Sequence, residues 1–430
     1  MESISIIENF HPLNNARLLD RAMRLSPPLH HEIIEPVGGF QLKDRYSPER
    51  EEIILQSLPH LTMRKGQNLC LDFGTHRVGY LTLDLSYAGS HPDAPAFLKL
   101  KFAESLNELS ENSATYDGWL SRSWIQEEYV HVDVLPTRLT LPRRYAFRYL
   151  KITMMDTLPK YQLIVRQAEC MTETSADISK IELLRFEDDL INQIYETSLR
   201  TLSNCMQDVF EDGPKRDRRL WVGDFRLQAL TNYSTFQNND LVKRCLYLFA
   251  GSRFPDGRIS ACIFTKPSVE ADDTYYFDYA LLYVVALEEY IQETGDEEAL
   301  DDLYDVAMQQ IEYAIRCCSD NIVTEKAVED TFIDWCDGLD KTACAQAVLI
   351  YSLRYARRLA RRKNDWSQAN WLAEKQKALK VAAMAKFWNE KEGCFVSEGQ
   401  ISLASQVWMV LADVLSHFLN RLTAQASGKR

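Results

Sequence analysis

Between residues 211 and 224 the chain reads Glu-Asp-Gly-Pro-Lys-Arg-Asp-Arg-Arg-Leu-Trp-Val-Gly-Asp, gathering carboxylates and guanidinium groups around one large aromatic. Asp212, Asp217 and Asp224 can accept hydroxyl hydrogen bonds or move a proton, and Arg216 and Arg218 can hold carboxylates in place. Trp221 offers an indole face to the apolar side of a sugar ring. The same composition also suits a solvated salt-bridge network that caps the next helix, but Gly-Pro and Trp-Val-Gly-Asp constrain the backbone more tightly than that requires. Two further stretches carry similar chemistry. In VEADDTYYFDYA, at 269 to 280, Asp273 and Tyr276 are candidates for a second sugar-binding wall, unless Asp272 or Asp273 simply caps the following helix. In DWCDGLDK, at 334 to 341, Asp334, Trp335 and Asp337 stand on a turn before a helix, and Asp337 or Asp340 can instead serve as its cap.

Composition narrows the partners. A net charge of -13 argues against a nucleic-acid footprint and fits an uncharged ligand such as an oligosaccharide or glycoside. The ten cysteines are scattered, mostly within apolar runs, without the paired spacing of a zinc site or a disulfide scaffold. Reduced thiols and a cytoplasmic location are expected. No secretory leader pattern opens the chain, and no apolar run reaches the length of a membrane helix, so no membrane partner is expected. There is no phosphate-cradling Gly-rich loop, no Gly-x-Ser-x-Gly elbow and no calcium loop, so neither cofactor nor metal is predicted.

The elements that must position these residues fall into three stretches. Residues 1–50 read as a lead-in broken by Pro27-Pro28 and Gly38-Gly39, with room for one short helix. Residues 51–172 alternate apolar and polar positions, as in NLCLDFGTHRVGYLTLDLSY and AFLKLKFAES, with turn residues at Gly66, Gly74 and Pro136. That pattern predicts an antiparallel β-sandwich. From 173 to 430 the period becomes helical, and eight helices are expected near 181–203, 224–236, 239–251, 274–294, 297–318, 340–362, 366–388 and 402–422. No tandem sequence repeat stands out, but successive helix pairs predict a toroid in which alternate helices form an inner ring and loops frame a pocket.

The chain resembles the α-L-rhamnosidases of glycoside hydrolase family 78, whose barrel carries a motif close to Asp-Cys-Pro-x-Arg-Asp-Glu-Arg-x-x-Trp-x-Gly-Asp. Asp212, Pro214, Arg216, Asp217, Arg219, Trp221, Gly223 and Asp224 match it, with one residue fewer before the Trp. LDFGTHRVGYLTLDLS, YAFRYLKI and FIDWCDGLDKTACAQAVLIYSLRYAR resemble its strands and barrel helices. The resemblance implies a β-sandwich followed by an (α/α)6 barrel, and inverting hydrolysis of a rhamnose-containing oligosaccharide by two carboxyl groups.

Two departures accompany it. Arg218 stands where the family's general acid Glu follows Arg-Asp, and the family's base lies beyond the segment resembling residues 395 to 415. Eight helices can be placed where the family's barrel has twelve, so the reading is of a ring cut short at its C-terminal end, or closed by a second copy in a homo-oligomer. In a helix, Asp217 would be turned about 100° from the missing Glu. Three functions stay open: a hydrolase with a relocated acid, a non-catalytic carbohydrate-binding remnant, and a uronate lyase in which Arg218 neutralises a carboxylate and Tyr276 moves the proton.

Overall fold

Period-two alternation in the first half of the chain is realised as antiparallel strands, and the 3.6 period of the second half as paired helices. A computed structural model describes residues 10–42 and 50–415. The chain divides into a β-rich unit, Pro28–Gln207 with Gly213–Arg218, and a helical unit made of the residues up to Pro27, Asp208–Asp212 and everything from Arg219.

Among the described residues ten strands make the β-rich unit's sheet: β1 (His30–Ile34), β2 (Gly38–Leu42), β3 (Arg50–Ile53), β4 (Thr62–Met63), β5 (Asn68–Gly89), β6 (Ala96–Ala103), β7 (Glu127–Val132), β8 (Thr137–Thr140), β9 (Tyr145–Asp156) and β10 (Tyr161–Thr174). They run in the order β1-β10-β5-β9-β6-β7, with β2 and β8 also on β5, β3 on β2 and β4 on β10. Strand β5 continues through Gly74, which the sequence reading took as a turn. Its first half pairs with β9 and its second half with β10, and Gly79 pairs with both Tyr145 and Thr172. A Cβ at Gly79 would lie 2.2 Å from the Met171 carbonyl oxygen, so only glycine fits where the strand changes partners. The inward residues of both halves, Leu69, Leu71 and Phe73 with Leu81, Leu83 and Leu85, enter one core. The sheet therefore wraps its own hydrophobic interior, and each such side chain contributes about 1.5–3 kcal/mol by burial.

Ten helices are described: α1 (Ala16–Arg24), α2 (Asp189–Cys205), α3 (Val222–Tyr233), α4 (Asn239–Gly251), α5 (Phe277–Thr294), α6 (Glu297–Arg316), α7 (Glu325–Glu329), α8 (Thr342–Arg362), α9 (Trp366–Phe387) and α10 (Leu403–Leu411). Helix α2 belongs to the β-rich unit. In the helical unit α3 packs on α5, α5 on α8 and α8 on α10, while α4 lies against α5, α6 against α5 and α8, and α9 against α8. Alternate helices thus form an inner row backed by an outer one, as the helix pairing predicts. Helix α5 is buried along nearly its whole length, which is why its sequence is apolar on every face.

The lead-in holds more structure than the sequence reading gave it. Asn15 caps α1, which packs on α4, and the Arg244 guanidinium beneath it binds both Asp208 carboxylate oxygens at 3.0 Å and the Ala22 carbonyl. This is the one short helix for which the lead-in had room, and it buries Leu18 and Ala22; strands β1 and β2 are the structure that the sequence reading did not give it. The part of the eighth expected helix beyond residue 415 lies outside the described residues.

Connections into the inner helices are long and those out of them short, so the long loops gather at the N-terminal ends of α3, α5, α8 and α10. A repeated device fixes these loops although the sequence shows no repeat. The Gln310 amide accepts the Ile259 N–H at 2.9 Å and donates to the Gly257 carbonyl at 3.0 Å. Gln346 does the same with the Val323 N–H (3.0 Å) and Asn321 carbonyl (2.9 Å), and Gln406 with the N–H (2.9 Å) and carbonyl (2.7 Å) of Phe395. Each side chain spends its donor and its acceptor on loop backbone, which ties the loop to a helix later in the chain.

Candidate functional site

The Asp/Arg motif is divided between the two units. Asp212 and Arg219–Asp224 belong to the helical unit, and Gly213–Arg218 to the β-rich unit. At the neck of this excursion the Asp212 N–H donates to the Arg219 carbonyl at 3.0 Å, and the Arg219 N–H donates to Asp212 Oδ1 at 3.1 Å. Within the excursion the Arg218 N–H reaches the Gly213 and Arg216 carbonyls, and Lys215 Nζ pairs with Glu108 at 2.7 Å and Glu104 at 3.2 Å. Asp217 and Arg218 are both left-handed, at φ 62° and 56°, and Arg216 Nε stands 3.8 Å from Asp217 Oδ1. The segment is therefore not helical, and the 100° step that would turn Asp217 away from the motif's acid position does not apply.

In the helical unit, Trp221 is the N-cap residue of α3 and lies in a short strand, β11 (Leu220–Trp221), paired with β12 (Cys262–Phe264), which in turn pairs with β13 (Glu270–Ala271). Its indole ring stands 6.5 Å from the Tyr276 ring, nearly parallel at 23°, and 6.5 Å edge-on from Tyr279. Phe332 lies 5.5 Å from Tyr276 and 5.7 Å from Tyr279, and Trp335 stands 5.1 Å beyond Phe332. The outer end of this aromatic wall is open, since Trp335 is 73% exposed. At the inner end the buried Trp221 indole N–H has no acceptor among the described residues, a donor available to a ligand. Gly223 permits the packing, because a Cβ there would lie 2.7 Å from Tyr279 Cζ.

Carboxylates surround the same rings. Asp224 lies in the first turn of α3 and Asp278 in the first turn of α5, where the helix dipole favours negative charge. Burial pushes the Tyr279 phenol well above its ordinary value, and the negative charges of Asp224, Asp278 and Asp212 add to that shift. Tyr279 therefore stays a neutral hydrogen-bonding group at any working pH. Asp278 is buried, and its two oxygens accept the Phe332 and Ile333 N–H groups, each at 3.0 Å. Burial raises its pKa, with those N–H bonds pulling the other way.

The remaining predicted residues are placed as follows. Tyr276 is the N-cap residue of α5 and no side chain caps that helix, so neither Asp272 nor Asp273 has the capping role weighed for it. Asp273 is half-buried, and Asp272 accepts the Thr274 hydroxyl at 2.7 Å. Asp334 and Asp337 are exposed, with Asp334 accepting the Trp335 N–H at 2.8 Å. Asp340 does hold the start of α8, through the Thr342 N–H at 3.3 Å and hydroxyl at 3.0 Å. Tyr279 and Phe332 join the cluster although the sequence does not single them out, whereas Asp278 lies in the 269 to 280 stretch expected as a second sugar-binding wall, and its bonds to Phe332 and Ile333 depend on a contact between distant loops.

A cavity of about 690 Å³ lies elsewhere, in the β-rich unit, bordered by His76, Glu104, Arg148 and one face of α2 including Thr197, Arg200 and Asn204. Of the motif only Pro214 borders it. Its charged groups are partnered: Arg148 forks onto Asp72 at 2.8 and 2.9 Å, and His76 bridges Glu104 and Asn204 at 2.9 Å each. The aromatic and carboxylate cluster of the helical unit is the better candidate for sugar chemistry. No helix among the described residues is long and apolar enough to cross a membrane.

Comparison with known proteins bears on both units. Residues 44–172 match the glycosyl hydrolase family 78 alpha-rhamnosidase N-terminal domain, and residues 180–424 match the bacterial alpha-L-rhamnosidase 6 hairpin glycosidase domain. Among solved structures, the chain is similar to a rhamnosidase from Klebsiella oxytoca with rhamnose bound, at 41% identity and a TM-score of 0.89, covering 94% of this chain and 80% of that one. It shares its fold with a family 78 rhamnosidase of Bacillus sp. GL1, at 20% identity and a TM-score of 0.70, covering 85% of this chain and 39% of that one. The rhamnosidase of Dictyoglumus thermophilum has the same fold, at 18% identity and a TM-score of 0.62, covering 87% of this chain and 39% of that one. Comparison with curated proteins gives no match.

Proposed function

The chain belongs to the glycoside hydrolase family 78 alpha-rhamnosidases, and from that premise we propose that it hydrolyses a rhamnose-containing oligosaccharide or glycoside with inversion. The observation that carries this reading is the meeting of Trp221, Tyr276, Tyr279, Phe332 and Trp335 with the carboxylates that face Tyr279. Aromatic faces take the apolar side of a deoxy sugar, and carboxylates take its hydroxyls.

On this reading Asp212 and Asp224 bind glycone hydroxyls, and the Trp221 indole N–H donates to a sugar oxygen. Asp217, carried on the loop between Asp212 and Arg219, passes its proton to the leaving oxygen while a second carboxylate activates water on the opposite face of the ring. Arg216 beside Asp217 orients it. Arg218 favours an anionic group in the aglycone such as a uronate. Asp273, Tyr276, Asp334, Trp335 and Asp337 extend the sugar-binding surface. The ten scattered cysteines, six of them buried, support a reducing cytoplasmic setting. Exposed apolar side chains on α3 (Leu227) and α10 (Leu403, Val410) support self-association.

An aryl α-L-rhamnoside and a rhamnosyl-uronate oligosaccharide, followed together by reducing ends and by ultraviolet absorbance, test the proposal. Release of rhamnose from either substrate, with no new ultraviolet absorbance from the oligosaccharide, supports it. An absorbing unsaturated uronate formed from the oligosaccharide would identify a lyase, and binding without turnover a lectin-like protein.

A further inference from the structure

The loop that carries Trp335 is hung on its N-terminal side from the start of α5 and α8, while Gln400 ties its far side through the Asp340 N–H and the Gly338 carbonyl. The Phe277 N–H donates to the Asp330 carbonyl at 2.7 Å, Lys341 Nζ donates to the Thr331 carbonyl at 2.8 Å, and Asp278 takes the next two N–H groups, of Phe332 and Ile333. Ile333 has φ 57°, a left-handed conformation that a β-branched side chain resists. A strained backbone of this kind persists only when its surroundings hold it. The group that holds it is a buried carboxylate with both oxygens committed to that backbone. The held residues have a direct consequence for the rings, because Phe332 contacts Tyr276, Tyr279 and Trp335 at 5.5, 5.7 and 5.1 Å.

The geometry points to Asp278 as a positioning residue that sets the place of Trp335, and through it the affinity for the sugar, without touching the substrate. This rests on the proposed function for the sugar itself, but not for the coupling of Asp278 to Trp335. Asp278 acts by pinning Phe332 and Ile333. Trp335, exposed at the rim, is then presented as a fixed platform rather than a mobile side chain, which spares the ordering cost on binding. Releasing the pin weakens ground-state and transition-state binding alike, and so acts on KM rather than on kcat.

The test is a double-mutant cycle of Asp278→Asn and Trp335→Phe, with far-ultraviolet circular dichroism to confirm folding. Kinetics use an aryl α-L-rhamnoside, and acrylamide quenching without substrate is compared between each Trp335 protein and its Phe counterpart to isolate the Trp335 signal. Asp278→Asn is expected to raise KM roughly tenfold, the scale of one lost aromatic contact, with kcat kept within about twofold. It should also increase quenching of Trp335, and the double variant should be no worse than the poorer single one. Independent, multiplying effects on KM, or unchanged quenching of Trp335, would overturn the proposal. If Asp278→Asn does not fold, Phe332→Leu carries the test: it removes the ring through which the held backbone meets Trp335, leaves the buried carboxylate and its two N–H bonds in place, and should likewise increase quenching of Trp335. A chain that bound no rhamnoside at all would sink the proposed function, while the quenching comparison would still decide whether Asp278 places Trp335.

Discussion

Asp212 and Arg219 bond to each other twice through groups on or beside the backbone, N–H to carbonyl at 3.0 Å and carboxylate to N–H at 3.1 Å, and so close the neck of the 213–218 loop. Asparagine at 212 keeps an acceptor for the Arg219 N–H, whereas alanine does not. Asp212→Ala should therefore lose about 1–2 kcal/mol of stability, and Asp212→Asn much less. If the charge of Asp212 binds the glycone, both variants lose rhamnoside hydrolysis. Full activity in Asp212→Asn would reduce Asp212 to a structural tie.

Asp217 separates the acid from the binding groups. Asp217→Asn should lower kcat by about 10² to 10⁴ on a substrate with a poor leaving group and leave KM nearly unchanged. A dinitrophenyl rhamnoside, whose leaving group departs without a proton, should recover most of the rate. Equal loss on both substrates would show that Asp217 is not the proton donor.

Gly223 tests the contact between α3 and Tyr279. Tyr279 is packed by Tyr276 at 5.3 Å and Phe332 at 5.7 Å, so its ring cannot retreat from a new Cβ. Gly223→Ala should cost about 1–3 kcal/mol in a thermal or denaturant melt and weaken rhamnose binding. A melt and an affinity equal to those of the parent would mean that the ring moves freely.

Glu127 gives a pH dependence of known sign. Burial pushes its carboxyl up, but the Ser113 hydroxyl, Lys99 at 3.1 Å and Lys101 at 3.4 Å outweigh this and hold it below the ordinary range. A carboxyl depressed on folding stabilises the fold above the unfolded value, near 4.3, and that stability is lost as the pH falls through the folded value. Glu127→Gln should therefore flatten the acid limb of the stability profile between about pH 4.3 and lower values. An acid limb as steep as in the parent protein would assign that loss to other carboxylates.

Periodicity was a good guide where burial alone decides structure. Helices α4, α5, α6, α8 and α9 lie within a few residues of the stretches predicted from apolar spacing, because each buries a continuous stripe. The residue types in the motif also pointed to sugar chemistry, and Trp221 and Tyr276 do meet. Spacing could not reveal contacts between loops. Phe332 joins Tyr276 to Trp335 only because α5 and α8 are neighbours, and Tyr279 looks like any other apolar position of a buried helix until Gly223 lets it approach α3. Asp217 takes no helical step away from the acid position for a local reason: Asp217 and Arg218 both have positive φ, which their side-chain types do not announce.

The amide clamps made by Gln310, Gln346 and Gln406 grip backbone rather than side chains. A clamp of that kind is indifferent to what the loop is made of. Evolution could therefore rewrite the composition of these loops, exchanging an aromatic for a charge or lengthening a turn, while the gripped peptide stays in place. A laboratory library confined to side chains of the gripped loops should therefore contain a high share of folded members, as long as the three glutamines are kept.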